Sequence, residues 1–331
     1  MKGKRVVFTD VGKVSIETFE LKEPREGELL VKTISTAISP GTETAFLMGL
    51  PNTPRKYPIY PGYSNVGVVI EVGLNTNFKR GELVASPSKH ASYVLVKEGN
   101  ALRVPAELSP DEATFFNLTS IALQGIRKAQ IDIGETVAVL GLGIVGQLAL
   151  QLSSIAGAMP TIGIDLYDYR CDIASSLGAD YVINPTKSDV IKEVTKITNG
   201  KGVDVVIEAT GNPKAIPLAL KLASRYGRVV ILGSPRGITD GINFYTDVHK
   251  KGLTIIGAHT SLRPKLDSYK FWRTTREDQE VALKLIAKGK VKVKELITMK
   301  LKYDEIDKAY HMLIHEKDKV LGVVLDWRER S

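Results

Sequence analysis

A glycine run set between two different periodicities constrains this chain more than any other feature. Thr136 to Leu140 is a short apolar, β-branched stretch; Gly141-Leu142-Gly143-Ile144-Val145-Gly146 follows at once; and QLALQLSSIAGA continues with the spacing of a helix. In a strand–turn–helix context each glycine has a separate task. Gly141 permits the tight turn, Gly143 lets the backbone approach a pyrophosphate, and Gly146 lets helix and strand pack closely. The amides that open the helix, at Ile144 and Val145, face the phosphates. Asp165 stands 19 residues beyond Gly146, at the end of the next apolar stretch, where a carboxylate accepts from a ribose 2′-hydroxyl. The same carboxylate repels a 2′-phosphate, so NAD is expected over NADP. Arg170, five residues further on, either offsets that repulsion or faces the adenine or solvent.

The alternation continues past this unit. Apolar stretches at Thr161 to Ile164, Tyr181 to Ile183, Val203 to Glu208, Arg228 to Leu232 and Leu253 to Ile256 are separated by helical segments. Strand alternating with helix specifies a mainly parallel sheet covered on both faces, the α/β doubly wound Rossmann arrangement. Residues 1 to 100 read differently. Short β-branched runs (Arg5 to Phe8, Glu28 to Ile34, Val66 to Val72, Ser92 to Val96) are broken by proline and glycine clusters, which makes this a β-rich region with long loops. At SPDEATFFNLTSIALQGIRKAQ, Ser109 is a helix N-cap, Pro110 the first helical residue, and a helix leads into the next domain. A helix at Glu277 to Lys288 and a polar strand–helix–strand end need another core to pack on. The expected division is therefore 1–117 with 261–331 as one domain and 118–260 as a dinucleotide-binding insertion.

Composition removes several classes of function. No apolar run approaches the ~18 to 20 residues that span a bilayer, and the N-terminus lacks the apolar stretch of a secretory signal, so no membrane partner and a cytoplasmic location are expected. The single cysteine, Cys171, excludes an internal disulfide and any multi-cysteine zinc site. The net charge of +8 is spread along the chain and interleaved with 37 acids. Its densest lysine cluster, Lys284 to Lys302, has no aromatic until Tyr303 and fits no nucleic-acid motif, so no nucleic-acid partner is expected.

Six segments carry a resemblance: Ile38-Ser39-Pro40-Gly41-Thr42-Glu43, Pro61-Gly62-Tyr63-Ser64-Asn65-Val66-Gly67, Lys89-His90-Ala91-Ser92-Tyr93, the GLGIVG turn, Glu208-Ala209-Thr210-Gly211, and Gly227-Arg228-Val229-Val230-Ile231-Leu232-Gly233. In this order they resemble the medium-chain dehydrogenase/reductase superfamily of zinc alcohol, polyol and threonine dehydrogenases and zinc-free quinone reductases. ISPGTE with GYSNVGVV and SIALQGIR is most similar to a zinc-free branch that includes bacteriochlorophyllide dehydrogenase-like oxidoreductases. The resemblance implies a Rossmann domain inserted into a β-rich, GroES-like catalytic domain, an NAD(P)-dependent activity on a small molecule, and a homodimer or homotetramer joined through the Leu253 to Ile256 edge.

The zinc-ligand positions of that superfamily correspond here to Pro40, Tyr63 and Phe116. Proline and phenylalanine offer no donor atom and a neutral tyrosine is a poor ligand, so no catalytic zinc is expected. Hydrogen bonds or a proton donor must then hold the charge that a metal would stabilise. The resemblance places Tyr63 beside the nicotinamide, where its hydroxyl either donates to substrate oxygen or only fills vacated space. His90 is either an acid–base group or a buried structural histidine, and Thr42 is a candidate proton relay. Ser120, Thr210 and Ser234 are candidate cofactor contacts. Three functions stay open: reversible hydride transfer between NAD and a secondary alcohol or ketone, on a sugar or polyol among others; reduction of an enone or quinone; and a catalytically silent NAD-binding protein.

Overall fold

The computed structural model describes residues 2–329 and separates into two compact units, one running to Asn117 and resuming at Gln279, the other Leu118–Asp278. The first unit opens on a hairpin of β1 (Lys2–Asp10) and β2 (Lys13–Glu20), turned at Gly12, whose φ of +70° lies in the left-handed region. There follow β3 (Glu28–Ala37), α1 (Pro40–Leu47), β4 (Asn65–Val72), β5 (Leu83–Ser86), β6 (Tyr93–Lys97), β7 (Leu102–Arg103) and α2 (Pro110–Ala113). Ser109 caps α2 with a reciprocal Ser109–Glu112 capping box and Pro110 opens it. The helix expected to run on from here breaks instead. Thr114 turns its hydroxyl onto the Asp111 carbonyl at 2.6 Å, a local bond that competes with the helical ladder.

The second unit begins within α3 (Phe116–Ala129) and continues as β8 (Val137–Leu140), α4 (Ile144–Ile155), β9 (Thr161–Ile164), α5 (Asp168–Ser176), β10 (Tyr181–Ile183), α6 (Val190–Ile197), β11 (Val203–Glu208), α7 (Ile216–Leu222), β12 (Ala223–Ile231) and β13 (Thr254–Gly257). All six strands are parallel, in the order β10-β9-β8-β11-β12-β13. Every residue of β8 and β9 is buried, the pattern of strands covered on both faces. The order reverses between β8 and β11, so the crevice beyond their carboxyl ends is the place where an open α/β sheet binds its ligand.

The chain then passes through α8 (Thr275–Ala287), β14 (Ile297–Lys302), α9 (Ile306–His315) and β15 (Gly322–Asp326). In the first unit the sheet runs β14-β15-β3-β4-β5-β7, and β6 also pairs with β3. One edge of β3 is shared: β6 takes residues 28–32 and β15 takes residues 35–37. This sharing folds the C-terminal strand into the N-terminal sheet. Its core joins Phe8, Ile38, Leu47, Tyr310, Leu325 and Trp327.

The expected return to the first unit at residue 261 is corrected to Gln279. Residues 261–278 belong with the second unit because α3 holds them. Arg263 donates to Gln124 Oε1 (2.7 Å) and to the Ser120 carbonyl, Arg127 pairs with Asp278 (2.8 Å), and Gln124 donates to the His259 carbonyl (3.0 Å). Arg263 and Asp278 are both buried, so these bonds cannot be traded for water without cost.

Candidate active site

The glycine turn lies at the β8–α4 junction, beyond the switch in strand order. Gly141 has φ +89°, and a Cβ there would come within 2.7 Å of the Thr210 side chain at the end of β11. A Cβ on Gly146 would sit 1.8 Å from the Gly141 carbonyl oxygen, so this position accepts glycine alone without rebuilding the turn. At Gly143 a Cβ would meet nothing within 4 Å. Gly143 is the N-cap of α4 and no side chain caps that end. The Ile144 and Val145 amides thus open a 12-residue helix whose first turn has backbone donors and a positive dipole end to offer an anion.

Asp165 directly follows β9 and is 8% exposed. Its Oδ2 accepts from the Leu142 amide at 2.7 Å and its Oδ1 from the Tyr167 amide at 3.0 Å. These bonds fix the carboxylate against the glycine turn. A carboxylate has about four acceptor positions, so capacity for a ribose hydroxyl is left. Arg170 Nη1 lies 3.7 Å from Asp165 Oδ2 and its guanidinium stacks over Tyr167, placing a cation next to the same carboxylate. Thr210 follows Glu208, whose Oε1 takes both the Thr210 amide (2.8 Å) and its hydroxyl. Ser234 lies against this turn: a Cβ on Gly211 would come within 2.9 Å of the Ser234 carbonyl oxygen. Ser120 is fully buried on α3, bonded to Arg263. These residues and this geometry fit a dinucleotide: glycines where backbone must approach, a free helix start, and a carboxylate at the second strand's end.

The first unit holds the other candidates. Half-buried Tyr63 turns its hydroxyl to Ser39 Oγ, and the Asn117 amide, itself bonded to Gln279, holds the Tyr63 carbonyl at 2.9 Å. Thr42 is half-exposed on the first turn of α1. Of the two readings of His90, the geometry fits the buried structural one. It is 0% exposed, with Nδ1 2.7 Å from Thr36 Oγ1 and Nε2 2.9 Å from Glu43 Oε2. An imidazole closed on both sides cannot touch a substrate, so the structural reading of His90 replaces the catalytic one. Glu43 Oε2 also accepts from the Tyr310 hydroxyl (2.6 Å), Glu43 Oε1 from the Ser39 amide (2.7 Å), and Trp327 Nε1 donates to Thr36 Oγ1 (3.0 Å). Burial, and then the Glu43 carboxylate, push the Tyr310 hydroxyl well above its ordinary value, so it serves as a donor. Sequence reasoning missed Ser39, Thr36, Tyr310 and Trp327, which meet here from separations as long as 291 residues.

The three positions of the superfamily's zinc ligands do not form a donor set. Pro40 opens α1, Phe116 is fully buried, and the Tyr63 hydroxyl is bonded to Ser39. Among the described residues no three His, Cys, Asp or Glu side chains are grouped as metal ligands.

A parallel sheet in this order, a glycine turn at its switch point and a carboxylate after the second strand define a dinucleotide-binding Rossmann unit. Residues 145–274 match the zinc-binding dehydrogenase family. The chain is 29% identical over 255 residues to D-guloside 3-dehydrogenase of Escherichia coli K12, covering 76% of this chain and 72% of that one. It is 29% identical to L-threonine 3-dehydrogenase of Pyrococcus horikoshii, over 89% and 90% of the two chains. An Escherichia coli oxidoreductase of unknown specificity superposes with a TM-score of 0.85 at 22% identity, over 98% of this chain and 99% of that one. A zinc-binding dehydrogenase of Sinorhizobium meliloti, bound to NADP, superposes at 0.81 and 25% identity over the same shares. The chain is similar to the medium-chain dehydrogenases over most of its length and has their fold, a Rossmann unit and a GroES-like unit. Among the described residues no helix is long and apolar enough to cross a membrane.

Proposed function

We propose that this enzyme oxidises a secondary alcohol, on a sugar or polyol, to the ketone and reverses that reaction, with NAD preferred over NADP and without catalytic zinc. The observation that carries the reading is the contrast between the intact dinucleotide turn and a metal position occupied by Pro40, Tyr63 and Phe116. The relatives named for guloside, threonine and sorbitol support a hydroxyl-bearing substrate. Asp165 supports NAD, since its charge opposes a 2′-phosphate.

Bound NAD supplies the hydride acceptor. Gly141, Gly143 and Gly146 with the Ile144 and Val145 amides hold the pyrophosphate, Asp165 the ribose with Arg170 alongside, and Thr210 and Ser234 the nicotinamide end, while Ser120, fully buried, braces α3 against Arg263 instead. Tyr63 binds the substrate oxygen and moves its proton, the task that a metal performs in zinc enzymes. Thr42 passes that proton outward, and His90 supports the fold from within. The edge strand β13 joins copies into a homodimer or homotetramer. The test is a panel of polyols, sugars and secondary alcohols followed at the NADH absorbance band with each cofactor, together with elemental analysis. Turnover with NAD and less than about one zinc in ten chains is expected, because two of the three ligand positions lack donor atoms. Stoichiometric zinc with chelator-sensitive turnover would overturn the metal-free reading.

A further inference from the structure

Ser39 occupies the N-cap of α1, where a serine hydroxyl ordinarily accepts from an amide in the first helical turn. Here the hydroxyl makes no such bond. Pro40 follows, which has no amide hydrogen, and the Ser39 amide is itself taken by the Glu43 carboxylate. The Ser39 hydroxyl, on a residue only 5% exposed, is turned instead to Tyr63. Its position is fixed from behind. Glu43 on α1 is buried and bonded to His90, ahead of β6, and to Tyr310 on α9, and His90 is fixed in turn by Thr36 on β3. A buried polar network in which each member is satisfied holds its parts more rigidly than isolated pairs do.

Two hydroxyls within hydrogen-bond distance can exchange roles, since each has one rotatable proton and lone pairs to accept with. If Tyr63 donates its proton elsewhere, the Ser39 proton turns to the phenolic oxygen and stabilises the charge left there. We propose that Ser39 is a positioning residue for Tyr63: it donates to the Tyr63 oxygen and lowers the energy of its phenolate. This rests on the reading of Tyr63 as the proton-transfer group, and the proton balance is simple. The phenol O–H bond breaks as the proton passes to the substrate oxygen, and the Ser39 O–H stays intact while its hydrogen bond shortens.

The test reads the phenol directly and needs no substrate. Protein with [13Cζ]tyrosine is titrated by NMR, the Tyr63 signal being the one lost in Tyr63→Phe. The titratable groups behind Ser39 are Glu43, His90 and Tyr310, and all are retained in every variant. Ser39→Ala is expected to move the Tyr63 midpoint up by about one unit or more, as loss of a hydrogen bond to a charged oxygen requires. Ser39→Thr, which keeps the hydroxyl, is expected to stay near the parent value. A Ser39→Ala midpoint within about half a unit of the parent overturns the proposal, since a donor to the phenolate cannot be lost so cheaply. The Tyr63 reading fails separately, by undiminished turnover of Tyr63→Phe on the panel substrate.

Discussion

Tyr63→Phe keeps the ring that the Asn117–Gln279 pair positions through the backbone and deletes only the hydroxyl that meets Ser39. If that hydroxyl strengthens its interaction as charge builds on the substrate oxygen, turnover falls more than affinity. The expected loss in kcat is roughly 10²-fold or more, the scale of removing one acid catalyst or oxyanion donor. NAD affinity by calorimetry is expected to be unchanged, because Tyr63 is assigned to the substrate oxygen and the residues proposed to hold the cofactor lie in the second unit. An equal loss in kcat and in NAD affinity would instead mean that the substitution disturbs the fold. Residues also show where the sequence was ambiguous. The sequence allows two readings of His90, and its ring contacts, with Thr36 and Glu43 54 and 47 residues away, favour the structural one.

At the scale of elements, the β11 end shows how a turn beside the cofactor site is held. Glu208 is fully buried; one carboxylate oxygen takes the Thr210 amide and hydroxyl, and the other, Oε2, meets no hydrogen-bond donor among the described residues. Burial raises its pKa above the ordinary carboxylate value, more than the hydrogen bonds from Thr210 and Gly211 lower it. A raised folded-state pKa gives stability that is full below the unfolded value near 4.3 and is lost as pH rises through the folded value. Glu208→Gln, which keeps an acceptor for Thr210 and removes the charge, is therefore expected to gain on the parent protein across that window. Its advantage in denaturant melts should be smallest below about pH 4 and grow as pH rises, because burial opposes only the charged form of Glu208. A gap that is constant with pH would show that the charge is not the cause.

The strands of this unit were legible because their signal is local: β9, β10 and β11 fall at the residues that their apolar runs indicate. The glycine turn was legible for the same reason. Helix α1 was not, since its eight residues begin Pro-Gly and lack an amphipathic repeat. The boundary at Gln279 was not legible either, because Arg263 meets Gln124 and Ser120 from 139 and 143 residues away. Spacing along a chain carries no information about such pairs.

For the whole molecule, the open question is how the six-stranded sheet ends. Among the described residues its outer strand β13 pairs with β12 alone, and an unpaired strand edge invites another chain. Natural edges are commonly protected by charge, proline or a bulge, yet Thr254-Ile255-Ile256-Gly257 has no charged residue or proline, and Ile255 is 45% exposed. A second copy approaching across a two-fold axis would set β13 antiparallel to itself and continue the sheet, the self-complementary contact that closed dimers use. Sedimentation is therefore expected to give a mass that is two or four times the 36.2 kDa chain. Ile255→Lys puts a charge on the edge and is expected to shift the protein to monomer, leaving its NAD affinity intact because the cofactor turn lies at β8 and α4. A parent chain that sediments as a monomer at all concentrations would sink the assembly reading. An oligomer unaffected by Ile255→Lys would move the interface away from β13.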